Sequence, residues 1–309
     1  MIYDLRTQPI PETAVLMKTK LLIPLLVSAF LILYSAFPAR AATTIDPVNK
    51  YAYGANIGWM DWRGDVANGV VIGEYVCSGY IYAANVGWIS LGSGTPINGI
   101  YYQNLSADDF GVNQDGLGNL RGLAYGANIG WINFENTGAP KVDLKSGRMT
   151  GFVYSANCGW ISLSNALAFV QTDTIAPGAD SDANGLPDAW ELLHFGHIGV
   201  DPNADPDGDG MSNLQEYLAG TDPNDPNSRL VITAFSTTPD GTSANVTWQS
   251  VPTRCYYLQR RLDLNPGYSW LDSGLGLISP DGATTSRTTA DTNPPARFYR
   301  VQAVRPLAP

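Results

Sequence analysis

Two stretches of the chain place oxygen-bearing side chains at the same offsets. The first runs from Asp180 to Glu191 and the second from Asp205 to Glu216. Counting each leading Asp as position 1, oxygens fall at 1, 3, 5, 9 and 12: Asp180, Asp182, Asn184, Asp188 and Glu191, then Asp205, Asp207, Asp209, Asn213 and Glu216. Position 6 is Gly in both (Gly185, Gly210), and position 7 (Leu186, Met211) can add a backbone carbonyl. This is calcium-loop spacing: the ion takes 6–8 oxygens, so a short segment must curl sharply, and a Glu at 12 can reach back with both oxygens. Without a cation the carboxylates repel one another, by roughly 4 kcal/mol per pair about 4 Å apart at an effective dielectric near 20. The plainer alternative is a solvated acidic linker, which has no need of Gly and Glu at matching offsets twice.

Short helices must follow each loop. Pro187 suits a first turn and Gly196 an end, which predicts a helix over Asp188–Phe195. Ser212 with Gln215 makes a capping box, Gly220 closes the second helix, and Leu214, Tyr217 and Leu218 give it one apolar face. Pro177, Gly178 and Pro202 argue against helices leading into the loops. His194 and His197 are the only histidines. Spaced i, i+3, they could be a zinc pair, but no Cys or third His lies near, which favours a helix-end role.

The stretch resembles the EF-hand without its entering helices. More closely, Asp205-Pro206-Asp207-Gly208-Asp209-Gly210 with its Asp-Pro-Asn flanks resembles the thrombospondin type 3 repeat of bacterial secreted proteins. That resemblance implies calcium, with Asp201, Asn203, Asp222, Asn224 and Asp225 as further donors. The dockerin, also two loop-helix halves, fits poorly, because its recognition positions are here Ala189-Trp190 and Leu214-Gln215.

The rest of the chain must hold this stretch in place. Lys18 and Lys20 precede an apolar run, Leu21–Phe37, and Ala39 and Ala41 fit signal peptidase. Residues 1–41 read as a signal peptide, with translation starting at Met17 and the exported chain at Ala42; a membrane anchor is the alternative. The whole chain carries −10; removing four basic and two acidic residues with the signal leaves −12. Twelve acids lie between Asp173 and Asp225 with no Lys or Arg among them, which argues against nucleic acid as a partner.

Residues 42–170 contain a repeat. Tyr53-Gly54-Ala55-Asn56-Ile57-Gly58-Trp59 returns at Tyr82–Trp88, Tyr125–Trp131 and Tyr154–Trp160, with Asn-to-Asn steps of 29, 43 and 29. Each copy reads as strand, Asn-x-Gly turn, strand. It resembles the Asn-x-Gly-Trp-Ile repeats of bacterial secreted proteins. The four Trp are expected in stacked core layers; the alternative is an outward strip that stacks on sugar rings. Residues 229–309 offer six candidate strands, and their Trp and Tyr placement resembles a fibronectin- or immunoglobulin-like sandwich. Cys77, Cys158 and Cys255 are three, so at least one has no intramolecular partner, and Cys77–Cys158 is the pair open to consideration.

The reading is therefore a mainly β chain: a signal peptide (1–41), a four-copy β-repeat domain (42–170), a calcium-binding loop-helix linker (171–228) and a β-sandwich (229–309). The mature chain shows no nucleophile motif or phosphate loop. The expectation is a secreted or cell-surface, non-catalytic, structural or adhesive protein, with calcium stiffening the linker. The alternative is a carbohydrate-binding module using the repeat tryptophans. A cell-envelope component or polysaccharide is the partner considered, with no membrane span after signal cleavage.

Overall fold

The computed structural model describes residues 43–64, 67–238, 242–265, 267–290 and 298–309. The expected signal peptide, with Ala42, lies outside the described residues. The fold is mainly β, with two short α-helices among the described residues.

Each Asn-x-Gly motif is the turn of a hairpin. The pairs are Ile45–Gly54 with Gly58–Asp61, Tyr80–Ala83 with Gly87–Ser90, Leu120–Gly126 with Gly130–Asn133, and Phe152–Ser155 with Gly159–Ser162. Successive hairpins pair side by side, and the last strand returns to the first through Tyr53↔Ser162 and Gly54↔Ile161. The eight strands close into a barrel. Closure removes the exposed edges that strands of four residues could not otherwise protect.

The interior of so small a barrel has room only for compact side chains. Met60, Ile89, Ile132 and Ile161, one from each hairpin, are buried in it. The turn residues Ile57, Val86, Ile129 and Cys158 join the same core. Gly54 is small of necessity, since a Cβ there would lie 2.8 Å from Ile57 Cγ1; at the equivalent Gly126 the distance to Ile129 Cγ1 is 3.0 Å.

The expected core placement of the tryptophans is overturned. Each Trp precedes an inward residue, so strand alternation turns it outward. Trp59, Trp88, Trp131 and Trp160 remain 43–48% exposed. Each stands opposite a tyrosine in register, with ring centroids 4.8–5.0 Å apart. The buried indole of this region is Trp62, packed edge-on to Phe134.

The C-terminal part forms two three-stranded antiparallel sheets. One orders Ile232–Thr237, Ser243–Gln249 and Thr284–Ala290; the other orders Leu271–Asp272, Cys255–Arg261 and Phe298–Val304. Val246, Trp248, Tyr256, Leu258 and Val301 make their core. Cys77, Cys158 and Cys255 are all buried and free, so Cys77 and Cys158 do not pair.

Between barrel and sheets lie α1, Asp188–Phe195, and α2, Asn213–Ala219. Gly196 and Gly220 end them in the left-handed region, and α2 carries the capping box between Ser212 and Gln215. This stretch also has a small core of its own: Leu186, Trp190, Val200 and Tyr217, with Tyr75 reaching in from the barrel side.

Candidate metal centre

In the second loop the aspartates fold the backbone around themselves. Asp205 accepts from the backbone N–H of Gly208 and Gly210, both at 2.9 Å. Asp207 accepts from Asp209 N at 3.1 Å, and Asp209 from Met211 N at 2.7 Å. These bonds use one oxygen each of Asp207 and Asp209. The other Oδ2 of each is buried with no protein partner. Asp205, Asp207 and Asp209 bring carboxylate oxygens within 4.8 Å of one another.

Helix α2 supplies the rest. Its Asn213 and Glu216 are both fully buried. Asn213 donates Nδ2 to the Asp201 carbonyl at 2.9 Å, leaving Oδ1 without a partner. Glu216 accepts a long bond from Thr221 Oγ1 at 3.4 Å, and its Oε2 has none. A buried acceptor left unmade costs about 1–3 kcal/mol, more when charged. Burial, reinforced by the charges of Asp207 and Asp209, pushes the Glu216 carboxyl up to about 8. Asp207 is raised by burial and by the charges of Asp209 and Asp205. Several orphaned, buried oxygens facing one acidic loop are what a hard cation would satisfy, and an all-oxygen donor set fits calcium.

The first loop is built alike but closes on itself. Asp180 accepts from Asn184 N at 3.1 Å and Gly185 N at 3.0 Å. Glu191, fully buried, accepts from Gly199 N at 3.0 Å and Val200 N at 2.7 Å, with Oε2 left over. Here Asn184 intervenes. Its Oδ1 takes Leu186 N at 2.7 Å, which turns Nδ2 toward Asp182 Oδ2 (3.0 Å), Glu191 Oε1 (3.0 Å) and the Val200 carbonyl (2.9 Å). An amide donor thus bridges the oxygens a cation would bridge. Asp188 is not drawn in, since both its oxygens are engaged by Ser181. Leu186 and Met211 bury their side chains and have only backbone carbonyls to offer.

Each histidine has a protein partner. His194 lies 3.5 Å from Asp222 and against the Trp190 ring, and burial lowers its pKa against the opposing pull of Asp222. His197 faces the Ile198 carbonyl.

One cluster beside the loops carries no local signal in the sequence. Glu74, on the barrel side, meets Arg254 at 3.2 Å and Arg305 at 3.4 Å. Tyr217, the residue after Glu216, donates its hydroxyl to Glu74 at 3.0 Å and accepts from Arg305. Arg254 also donates to the Tyr217 carbonyl at 2.6 Å and the Leu218 carbonyl at 3.1 Å. The partners are far apart in sequence, so only the fold brings them together.

The bacterial TSP3 repeat family matches residues 205–226, the second loop and its helix. No curated protein and no solved structure matches the chain. Among the described residues, no helix is long and apolar enough to cross a membrane.

Proposed function

We propose that this is a secreted or cell-surface, non-catalytic modular protein in which calcium stiffens the segment joining a repeat-built β-barrel to a fibronectin-like β-sandwich. The observation that carries the reading is the set of buried, partnerless oxygens of Asp207, Asp209, Asn213 and Glu216, inside the matched TSP3 repeat. The proposed ligands are Asp205, Asp207, Asp209, Asn213, Glu216 and the Met211 carbonyl. In the first loop they are Asp180, Asp182, Asn184, Glu191 and the Leu186 carbonyl. Bound there, the ion neutralises the crowded carboxylates and ties each loop to its helix. Extracellular modules of this kind bind calcium at about 10⁻⁴–10⁻³ M, matching an extracytoplasmic setting. The test is calorimetric titration with calcium, paired with limited proteolysis. Uptake at millimolar calcium or below, with chelator exposing residues 180–216 to protease, supports the reading; neither effect sinks it.

The outward tryptophans favour a second reading, sugar binding along the barrel surface. Four half-exposed indoles, each beside a tyrosine, offer stacking faces of the kind sugar rings use. A glycan array with wild type and Trp88→Ala tests it. Saccharide binding lost in the variant supports it, and no binding by wild type excludes it.

A further inference from the structure

We propose that the second calcium loop, and not the first, governs the junction between barrel and C-terminal sheets, and that Tyr217 is the residue through which it does so. This rests on the calcium reading above and adds the route and the choice of loop.

Three observations carry it. First, Glu216 and Tyr217 are consecutive on a two-turn helix. Glu216 faces the second loop with an orphaned oxygen, while Tyr217, 3% exposed, turns its hydroxyl to Glu74 and Arg305. A rigid unit this short cannot settle one residue without settling the next. Second, Tyr217 touches both sides of the junction at once. Its hydroxyl bonds Glu74 from the barrel side and Arg305 from the tail after the last strand. Its carbonyl accepts from Arg254, in the loop that leads into the C-terminal strand Cys255–Arg261. The contact is tight, since a Cβ on Gly220 would lie 2.8 Å from Arg254 Cγ. Third, the cluster is buried and charged. The Glu74, Arg254 and Arg305 side chains are 14%, 6% and 13% exposed, so displacing Glu74 leaves two buried guanidiniums uncompensated.

The first loop reaches Tyr217 through apolar packing and not through a polar bond. Glu191 is anchored to Gly199, Val200 and Asn184, all within the calcium stretch. Helix α1 sets Trp190 edge-on to the Tyr217 ring, with centroids 5.9 Å apart, and makes no polar contact to Glu74, Arg254 or Arg305, so it bears on the ring and not on the charged cluster.

The test is amide hydrogen exchange on the full mature chain, with calcium and with chelator. Where opening requires the loop to empty, calcium at about 100 times its dissociation constant slows exchange about 100-fold. The expected result is slowing at 205–220 and also, outside the calcium stretch, at peptides covering Glu74 and Arg254. Tyr217→Phe keeps the ring but loses the hydroxyl. It should retain calcium uptake and protection at 205–216 while losing most of the calcium effect at Glu74. Glu216→Gln should abolish the distant effect, and Glu191→Gln should leave it. Protection confined to 205–220 in wild type overturns the proposal while leaving calcium binding intact. So does an effect at Glu74 that survives in Tyr217→Phe, which keeps the carbonyl that holds Arg254 but not the hydroxyl, or a distant effect that disappears in Glu191→Gln. Absence of protection anywhere, with no calorimetric uptake, overturns the calcium reading itself.

Discussion

Asn56 donates its side-chain amide to the Cys158 carbonyl at 3.0 Å, joining the first repeat motif to the last across 102 residues. The same bond recurs around the barrel: Asn85 to Ile57, Asn128 to Val86 and Asn157 to Ile129, at 3.0–3.1 Å. Each motif's asparagine thus reaches the turn of the motif before it, and Asn56 completes the circle. The motif's Gly answers to the backbone and not to this approach. Gly58, Gly87, Gly130 and Gly159 all have positive φ, whereas a Cβ on each would make only ordinary contact with the neighbouring amide, at 3.4–3.7 Å.

Breaking that ring should cost stability. Asn56→Ala is expected to destabilise the barrel by about 1–2 kcal/mol, the range for losing a partly buried hydrogen bond and stranding its acceptor. Asn128→Ala, whose bond is exposed, should cost less. Denaturant unfolding of the two variants checks the order, and equal, negligible losses would refute the ring's role.

The barrel's inside and outside should separate in the same assay. Ile161→Ala empties a fully buried site and should cost about 2–5 kcal/mol. Trp160→Ala removes a half-exposed ring paired with Tyr154, a contact worth about 0.5–1.5 kcal/mol beyond the area it covers, so it should cost less than Ile161→Ala. A Trp160→Ala loss matching that of Ile161→Ala would contradict the outward placement.

These two cases show where the sequence was legible. Local rules placed the helices: Pro187 and Gly196 bracket α1, and Ser212, Gln215 and Gly220 bracket α2. The alternation of burial at Tyr80, Ile81, Tyr82 and Ala83 was also written in residue types. What alternation leaves open is which face is the core. A large aromatic set and a small aliphatic set compete, and the narrow interior of a closed barrel decides for the aliphatic one. Closure depends on Tyr53 meeting Ser162, which no local pattern shows. In the metal centre, the 1-3-5-12 spacing located the second loop. The withdrawal of Asp188 to Ser181 and the inward turn of Asn184 depend on side-chain geometry that spacing does not carry.

Calcium uptake should be linked to protons through Glu216. Its carboxyl sits at about 8 in the fold against an ordinary 4.5, so folding opposes its ionisation. The sign is that of a raised acid. Metal-free stability is unaffected by Glu216 below the ordinary value, falls as pH rises through that interval, and has lost the full amount above about 8. Calcium requires the carboxylate, so binding near pH 7 should release a proton from this group in most molecules, and the release should fade as pH rises past about 8. Calorimetry in two buffers of different ionisation enthalpy measures the release. Heats that do not depend on the buffer at pH 7 would show that Glu216 is already ionised.

The two loops should differ in affinity. To admit calcium, the first must draw the Asn184 amide away from Asp182, Glu191 and the Val200 carbonyl, giving up bonds of 2.9–3.0 Å, two of them to carboxylates. Hydrogen bonds to charged groups are worth about 1.5–3 kcal/mol each. The second loop has no such donor in the way. Its free oxygens on Asp207, Asp209, Asn213 and Glu216 already lack partners. Rotating one amide can recover part of that loss, because Asn184 then offers its own Oδ1. A net difference of about 1.4 kcal/mol, or tenfold in dissociation constant, is the expected floor. A two-site titration should therefore show a tighter and a weaker event. Glu216→Gln should remove the tighter one and Glu191→Gln the weaker. Asn184→Asp, which replaces the blocking donor with an acceptor, should bring the two affinities closer. A weaker event abolished by Glu216→Gln while the tighter one persists would reverse the assignment.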